Sequence, residues 1–165
     1  DVTNIGIIMD ANELGPKSRF DIIQNVARQY NLTEIQSNWP TWELKDSEKQ
    51  LKLSIWIMPD NNSNGYLEHF LYDLIPQQNQ IANKHASNMV ETFYQENPAQ
   101  VSSVKKQKAK THAYLSPMKK PGLPFGTAIQ ANYFDVNHEN VEELGKMVQT
   151  YLYIGRIKEG SKTQN

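Results

Sequence analysis

Cysteine is absent from all 165 residues. That excludes a disulfide framework and any thiolate zinc site, and a reducing cytoplasm is the expected setting. Nothing approaches the run of about eighteen apolar residues that a spanning helix needs, so no membrane association is expected. The amino terminus lacks a basic-then-apolar stretch ahead of a cleavage site, which argues against a secretory signal. The sequons at Asn31-Leu32-Thr33 and Asn61-Asn62-Ser63 are accordingly read as chance. A nucleophile elbow, a phosphate-binding P-loop and a paired His-Glu zinc motif are also missing, which leaves nucleophilic Ser or Cys catalysis without support.

Charged side chains make up only 21 % of the chain and apolar ones 38 %, with Asn, Gln and Ser filling the difference. The length suits one domain with a real core. The formal charge of −1 hides an asymmetry. Residues 1–90 carry 7 basic and 11 acidic side chains, whereas residues 91–165 carry 10 and 7. The basic excess gathers at Lys105, Lys106, Lys108, Lys110, Lys119 and Lys120. Such a patch can attract a polyanion, DNA or RNA, or it can be a solvated helix face.

Residues 3–9 are continuously apolar and β-branched, the pattern of a strand covered on both faces. After a turn ending in Gly15-Pro16, residues 17–30 set Phe20, Ile23, Val26, Ala27 and Tyr30 on one helical stripe, which Asn31 ends. Residues 32–50 are irregular, with Trp39-Pro40-Thr41-Trp42 extended or in a hairpin. Leu51 to Met58 is a second strand. A polar loop from Asp60 to Gly65 leads into a helix that turns Leu67, Phe70, Leu71, Leu74 and Ile75 inward and stops at Pro76. Residues 77–96 read as a helix with Ile81, His85, Met89 and Phe93 at spacing four. The Lys-rich segment 99–115 reads as another. Residues 117–126, with three prolines and two glycines, fit neither regular element. Residues 140–153 close the domain as a helix burying Val141, Leu144, Val148, Tyr151 and Leu152. One domain over 1–155 and a frayed tail over 156–165 are expected. Strands alternating with helices predict a mostly parallel α/β sheet.

Two acidic loops follow the two strands, and the carboxyl ends of parallel strands converge on the crevice where α/β proteins bind ligands. Asp10 and Asn12 lie two apart, so both can face one side and share Mg²⁺. The alternative is a strand-end turn in which both bond local backbone. Asp60, Asn62 and Asn64 with Gly65 imitate the front of a calcium loop, but Leu71 stands where the bidentate Glu belongs, which favours a structural turn. Glu68, on the first turn of its helix, is either a helix-dipole partner or a ligand reaching a metal held by Asp10. His112, near the lysines, is either a packing residue or a base.

Several phrases together resemble one family. They are Ile5 to Asn12, Ile55-Trp56-Ile57-Met58-Pro59-Asp60-Asn61, Gly65 to Leu71, Lys110 to Leu115, and Pro121 to Ile129. Their order and spacing look like the bacterial and archaeal Toprim-related proteins catalogued as domain of unknown function 3226, and the resemblance runs from about Ile5 to Leu152. It implies a three-layer, Toprim-like (Rossmann-like) domain similar to those of topoisomerases, primases and the OLD-type nucleases of phage defence. Toprim sites hold Mg²⁺ (or Mn²⁺) for phosphoryl transfer with a Glu on the first strand and Asp-x-Asp on a later one. Carried over, Asp10 matches the first Asp and Glu68 an acidic helix position of OLD-like relatives. Asn12 stands where the second Asp is expected, and the chain begins after the strand that supplies the Glu. The expected reading is a metal-dependent nuclease acting in phage defence or DNA repair. Asp10 and Glu68 would be catalytic, Asp10, Asn12, Asp60 and Glu68 would hold the metal, and Lys108, Lys110 and His112 would meet the substrate. The rival is a catalytically degenerate interaction domain that partners an ATPase, another subunit or its own copy.

Overall fold

The computed structural model describes residues 4–45, 50–102 and 105–151. Thr3, Leu152, Tyr153, the side chain of Tyr151 and the tail 156–165, on which sequence expectations fall, lie outside the described residues or side chains. Four strands, β1 (Asn4–Asp10), β2 (Thr33–Ile35), β3 (Thr41–Lys45) and β4 (Gln50–Met58), form one open sheet in the order β1-β4-β3-β2. β1 pairs parallel to β4, with Asp10 level with Met58, whereas β4–β3 and β3–β2 are antiparallel. The mostly parallel sheet expected from sequence is therefore corrected to a mixed one. The cause is β3. Only four residues separate it from β4, too few for the crossover of a dozen or more that a parallel neighbour requires.

The helices are α1 (Gly15–Gln29), α2 (Leu67–Asp73), α3 (Gln80–Glu96), α4 (Lys106–Leu115), α5 (Phe125–Gln130) and α6 (Glu139–Tyr151), with a 3₁₀ turn at Gln77–Asn79. α1 ends as its sequence predicts. Asn31 takes a left-handed φ of 58°, and the amide of Leu32 reaches back to the carbonyl of Ala27. β4 is buried on both faces, and its alternation divides the core. Leu53, Ile55 and Ile57 join Trp42, Leu32 and Ala27 under α1. Trp56 and Met58 join Phe70, Leu71, Tyr114, Phe134 and Met147 under the other helices. The buried hydroxyls of Thr41 and Ser54 pair at 2.7 Å between β3 and β4, so neither is left unsatisfied.

Three expectations about burial are corrected, in β1, in α1 and in α2, where Leu67 is 40 % exposed instead of turned inward. β1 is an edge strand among the described ones, so Ile5 and Ile8 are exposed and the strand is not covered on both faces. Val26 of α1 and Tyr30, the residue just after the helix, point outward. On α3 the buried side chains are Asn83, Ala86 and Val90, while Ile81, His85, Met89 and Phe93, whose spacing predicts the helix, are exposed. Within 99–115 the long helix begins only at Lys106, and Phe125 and Gly126 belong to α5.

Candidate functional site

The carboxyl ends of β1 and β4 lie side by side, and the loops that leave them are laced together. The amide of Ala11 donates to the carbonyl of Met58 (3.2 Å), and that of Asn12 donates to Gly65 (2.7 Å). Asn12 takes a φ of 54°, a left-handed conformation that Asn tolerates better than most residues. β4 leaves the sheet through a cis Met58–Pro59 bond. Asn61, with a φ of 67°, then closes the strand end. Its amide donates to the carbonyl of Ile57, and its side-chain oxygen accepts from the amide of Ile57, both at 2.7 Å.

Asp10 reaches across this seam. Its Oδ1 accepts the amide of Leu67 at 3.0 Å. That N–H is one of the first-turn donors of α2 that no helical carbonyl can satisfy, and Tyr66 at the N-cap supplies no short polar side chain for it. The negative charge also meets the positive end of the helix dipole. Glu68 is buried, and its Oε1 faces Nζ of Lys108 on α4 at 3.5 Å. The backbone carbonyl of Glu68 accepts the hydroxyl of buried Thr111 at 3.3 Å, which fixes α4 against α2.

Asp60 keeps to its own loop. Oδ1 accepts the amides of Asn62 (2.9 Å) and Ser63 (2.7 Å), and Oδ2 accepts the Ser63 hydroxyl (2.8 Å). Burial pushes its pKa up, but the hydrogen bonds from Ser63 and Asn62 outweigh that and leave it below the ordinary aspartate value. This is the structural turn that the missing Glu at position 71 favours.

Asp10 and Glu68 do share one neighbourhood. The Tyr66 phenol is raised, first by burial and then by the charge of Glu68, with smaller effects from Tyr94, Asp10 and Glu13. His69 is lowered by burial, against the charges of Asp73, Glu68 and Asp10. The ring of His69 stands edge-on to Tyr66 at 4.4 Å, and its Nδ1 faces the amide of Tyr66 at 3.4 Å. Asp73 is raised by burial, with His138 and His69 opposing and Asp60 reinforcing. Among the described residues no three His, Asp or Glu side chains form a group that could hold a metal ion.

The basic residues also diverge. Lys110 and Lys106 both grip Glu91 of α3, at 2.6 and 2.8 Å, and these bonds pull Glu91 down to about 2. Lys108, two residues from each of them, points instead to Glu68, and His112 stacks on Phe125 with ring centres 5.0 Å apart. Tyr66, His69 and Asp73 are shifted groups at or near the crevice that the sequence reading did not single out. The spacing Tyr66, His69, Asp73 was the available signal, since three and four residues along a helix share a face.

A family model described as "Protein of unknown function (DUF3226)" matches residues 1–152. No curated protein and no solved structure matches the chain.

Proposed function

The chain belongs to the DUF3226 family, and we propose that within it this is a Toprim-related domain whose acidic crevice serves the fold. It acts as a non-catalytic interaction domain that partners a larger subunit, such as an ATPase. One observation carries this reading. The carboxylates available for chemistry are already engaged, Asp10 by the amide of Leu67 and Glu68 by Lys108. The parallel β1–β4 pair, with acidic groups at its carboxyl end, supports the Toprim relationship. A stable complex with the partner subunit survives Asp10→Ala, and calorimetric titration of Mg²⁺ or Mn²⁺ into the protein gives no binding heat.

The second reading is the metal-dependent nuclease acting on DNA or RNA. It draws on the neighbourhood that Asp10 and Glu68 share around Tyr66 and His69. Nicking of supercoiled DNA or cleavage of RNA that needs Mg²⁺ or Mn²⁺ and is abolished by Asp10→Ala would establish it and overturn the first.

A further inference from the structure

We propose that the exposed side of α4 and the loop that follows it bind the backbone of a single-stranded nucleic acid, with aromatic rings beside the lysines taking unpaired bases. The inference shares a nucleic acid with the second reading above, but it needs neither a metal nor the acidic crevice. Its starting point is a gap in the sequence. Residues 97–134 hold six lysines and no aspartate or glutamate, so all 18 carboxylates of the chain lie outside that segment.

The fold sorts those lysines. Lys106 and Lys110 turn to α3, where Glu91 holds both. Lys105, Lys108, His112 and Ser116 are exposed, and at 3.6 residues per turn they fall within an arc of about 80°, in a row roughly 16 Å long. Lys108 faces Glu68 at 3.5 Å, yet its side chain is 56 % exposed. The loop after α4 extends the charge. The amide of Lys120 donates to the Tyr133 hydroxyl at 3.1 Å, and the loop ends at Phe125, whose ring stacks on His112. A loop that leaves the end of α4 and returns to His112 keeps Lys119 and Lys120 at the carboxyl end of the row. Lys105, Lys119 and Lys120 have no acidic partner among the described residues.

Charge alone would suit any polyanion. Two aromatic features select unpaired bases. Exposed His112 has one face on Phe125, with ring centres 5.0 Å apart, and has no hydrogen-bond partner among the described residues. Its other face can receive a base. At the amino end of the row, Lys105 and Ala109 border a groove of about 570 Å³ shared with Tyr94 and with Phe93, which is 51 % exposed. No carboxylate is among the described residues that line it. Lysines that track a backbone beside rings that stack on bases are how proteins hold single strands without reading their sequence. A membrane surface would want apolar side chains in the row, whose four exposed positions are all polar. An acidic protein segment would leave the rings unused.

Fluorescence anisotropy of the full chain with a labelled oligo-thymidylate or oligo-uridylate of about twenty nucleotides, in EDTA, tests this. A Kd on the order of micromolar is expected at low salt. Four lysines on phosphates, at about 0.7 per contact, give a slope of log K against log salt near about −3. Lys119→Glu with Lys120→Glu weakens binding roughly tenfold or more and about halves the slope, with an unchanged far-ultraviolet spectrum. His112→Ala weakens binding roughly fivefold, while His112→Tyr, which keeps a stacking ring, retains the affinity. A duplex of the same length carries more charge but hides its bases, and it competes less well. Binding in EDTA owes nothing to metal-dependent cleavage, so the nuclease reading can fail while this one stands, and the reverse. No binding at hundreds of micromolar, an affinity that the double lysine reversal leaves intact, or equal competition by the duplex, polyglutamate or anionic-lipid vesicles overturns the proposal.

Discussion

Replacing Asp10 separates a carboxylate that serves the fold from one that serves a metal. In the protein its Oδ1 accepts the Leu67 amide at 3.0 Å, between residues 57 positions apart. Asp10→Ala strands that donor. The loss of a helix-start acceptor costs about 1 kcal/mol, and the lost charge at the helix terminus adds roughly 0.5 kcal/mol. For a domain of this size about 1.5 kcal/mol lowers Tm by roughly 3–6 °C. Asp10→Asn keeps an acceptor oxygen and loses only the charge, so it costs about 0.5 kcal/mol. Urea denaturation with a constant m-value, supported by thermal melts, measures both. In the same melts millimolar Mg²⁺ leaves the wild-type Tm unchanged, because a cation bound only to the folded state would raise it. Asp10→Ala indistinguishable from wild type, or a Mg²⁺-dependent rise in Tm that Asp10→Asn removes, would refute the structural role argued for this side chain.

Gly65 combines a φ of +150° with a hemmed-in site, where an added Cβ would lie 3.0 Å from the His69 ring and 3.2 Å from Pro59. Gly65→Ala is expected to cost about 2 kcal/mol or more, against about 1 kcal/mol for Gly122→Ala, where φ is positive but nothing crowds the position, both read by denaturant titration. Asp73, raised by burial, penalises the folded state wherever the unfolded carboxyl is ionised. Asp73→Asn therefore raises stability at neutral pH, and the gain fades as pH falls through the raised folded value and is gone below the unfolded value of about 3.9. Denaturation midpoints from pH 7 to pH 3 check the sign, and an advantage that persists or grows at low pH would show that the gain has another origin. Glu91 ties up Lys106 and Lys110. Glu91→Gln frees both, so a binding titration with double-stranded DNA at low salt should show several-fold tighter, salt-sensitive association. No gain would mean that this basic face does not meet polyanions.

The parts legible in the sequence are those where burial and pattern coincide. β4 reads as a continuous apolar run because both of its faces are covered. The Asp60 loop reads as a turn because Asp and Asn carry their own acceptors. β2 and β3 were not legible as separate strands. They hold three and five residues, too short for alternation to stand out, and β3 is what makes the sheet mixed. α3 misled in a more instructive way. Its existence was read correctly, but from the face that turns out to be exposed. The core face is Asn83, Ala86 and Val90, which carries little hydrophobic signal, so periodicity fixed the element and left its orientation open. In the crevice, the pairing of Asp10 with the Leu67 amide joins residues far apart in sequence, and no local spacing predicts it.

Those long-range bonds also constrain what the crevice can do. Three fastenings hold the β1 and β4 loops together, Ala11 to Met58, Asn12 to Gly65 and Asp10 to Leu67, while Asn61 to Ile57 closes the end of β4 itself. Gly15 also approaches the β4 loop closely, where an added Cβ would sit 2.7 Å from Oδ1 of Asn64. If each hydrogen bond contributes a net of about 1 kcal/mol, parting the loops to admit a ligand between them would cost a large fraction of the stability of a typical domain. A phosphodiester or a hydrated cation would have to supply that energy from contacts with Asp10 and Glu68, both of which already have partners.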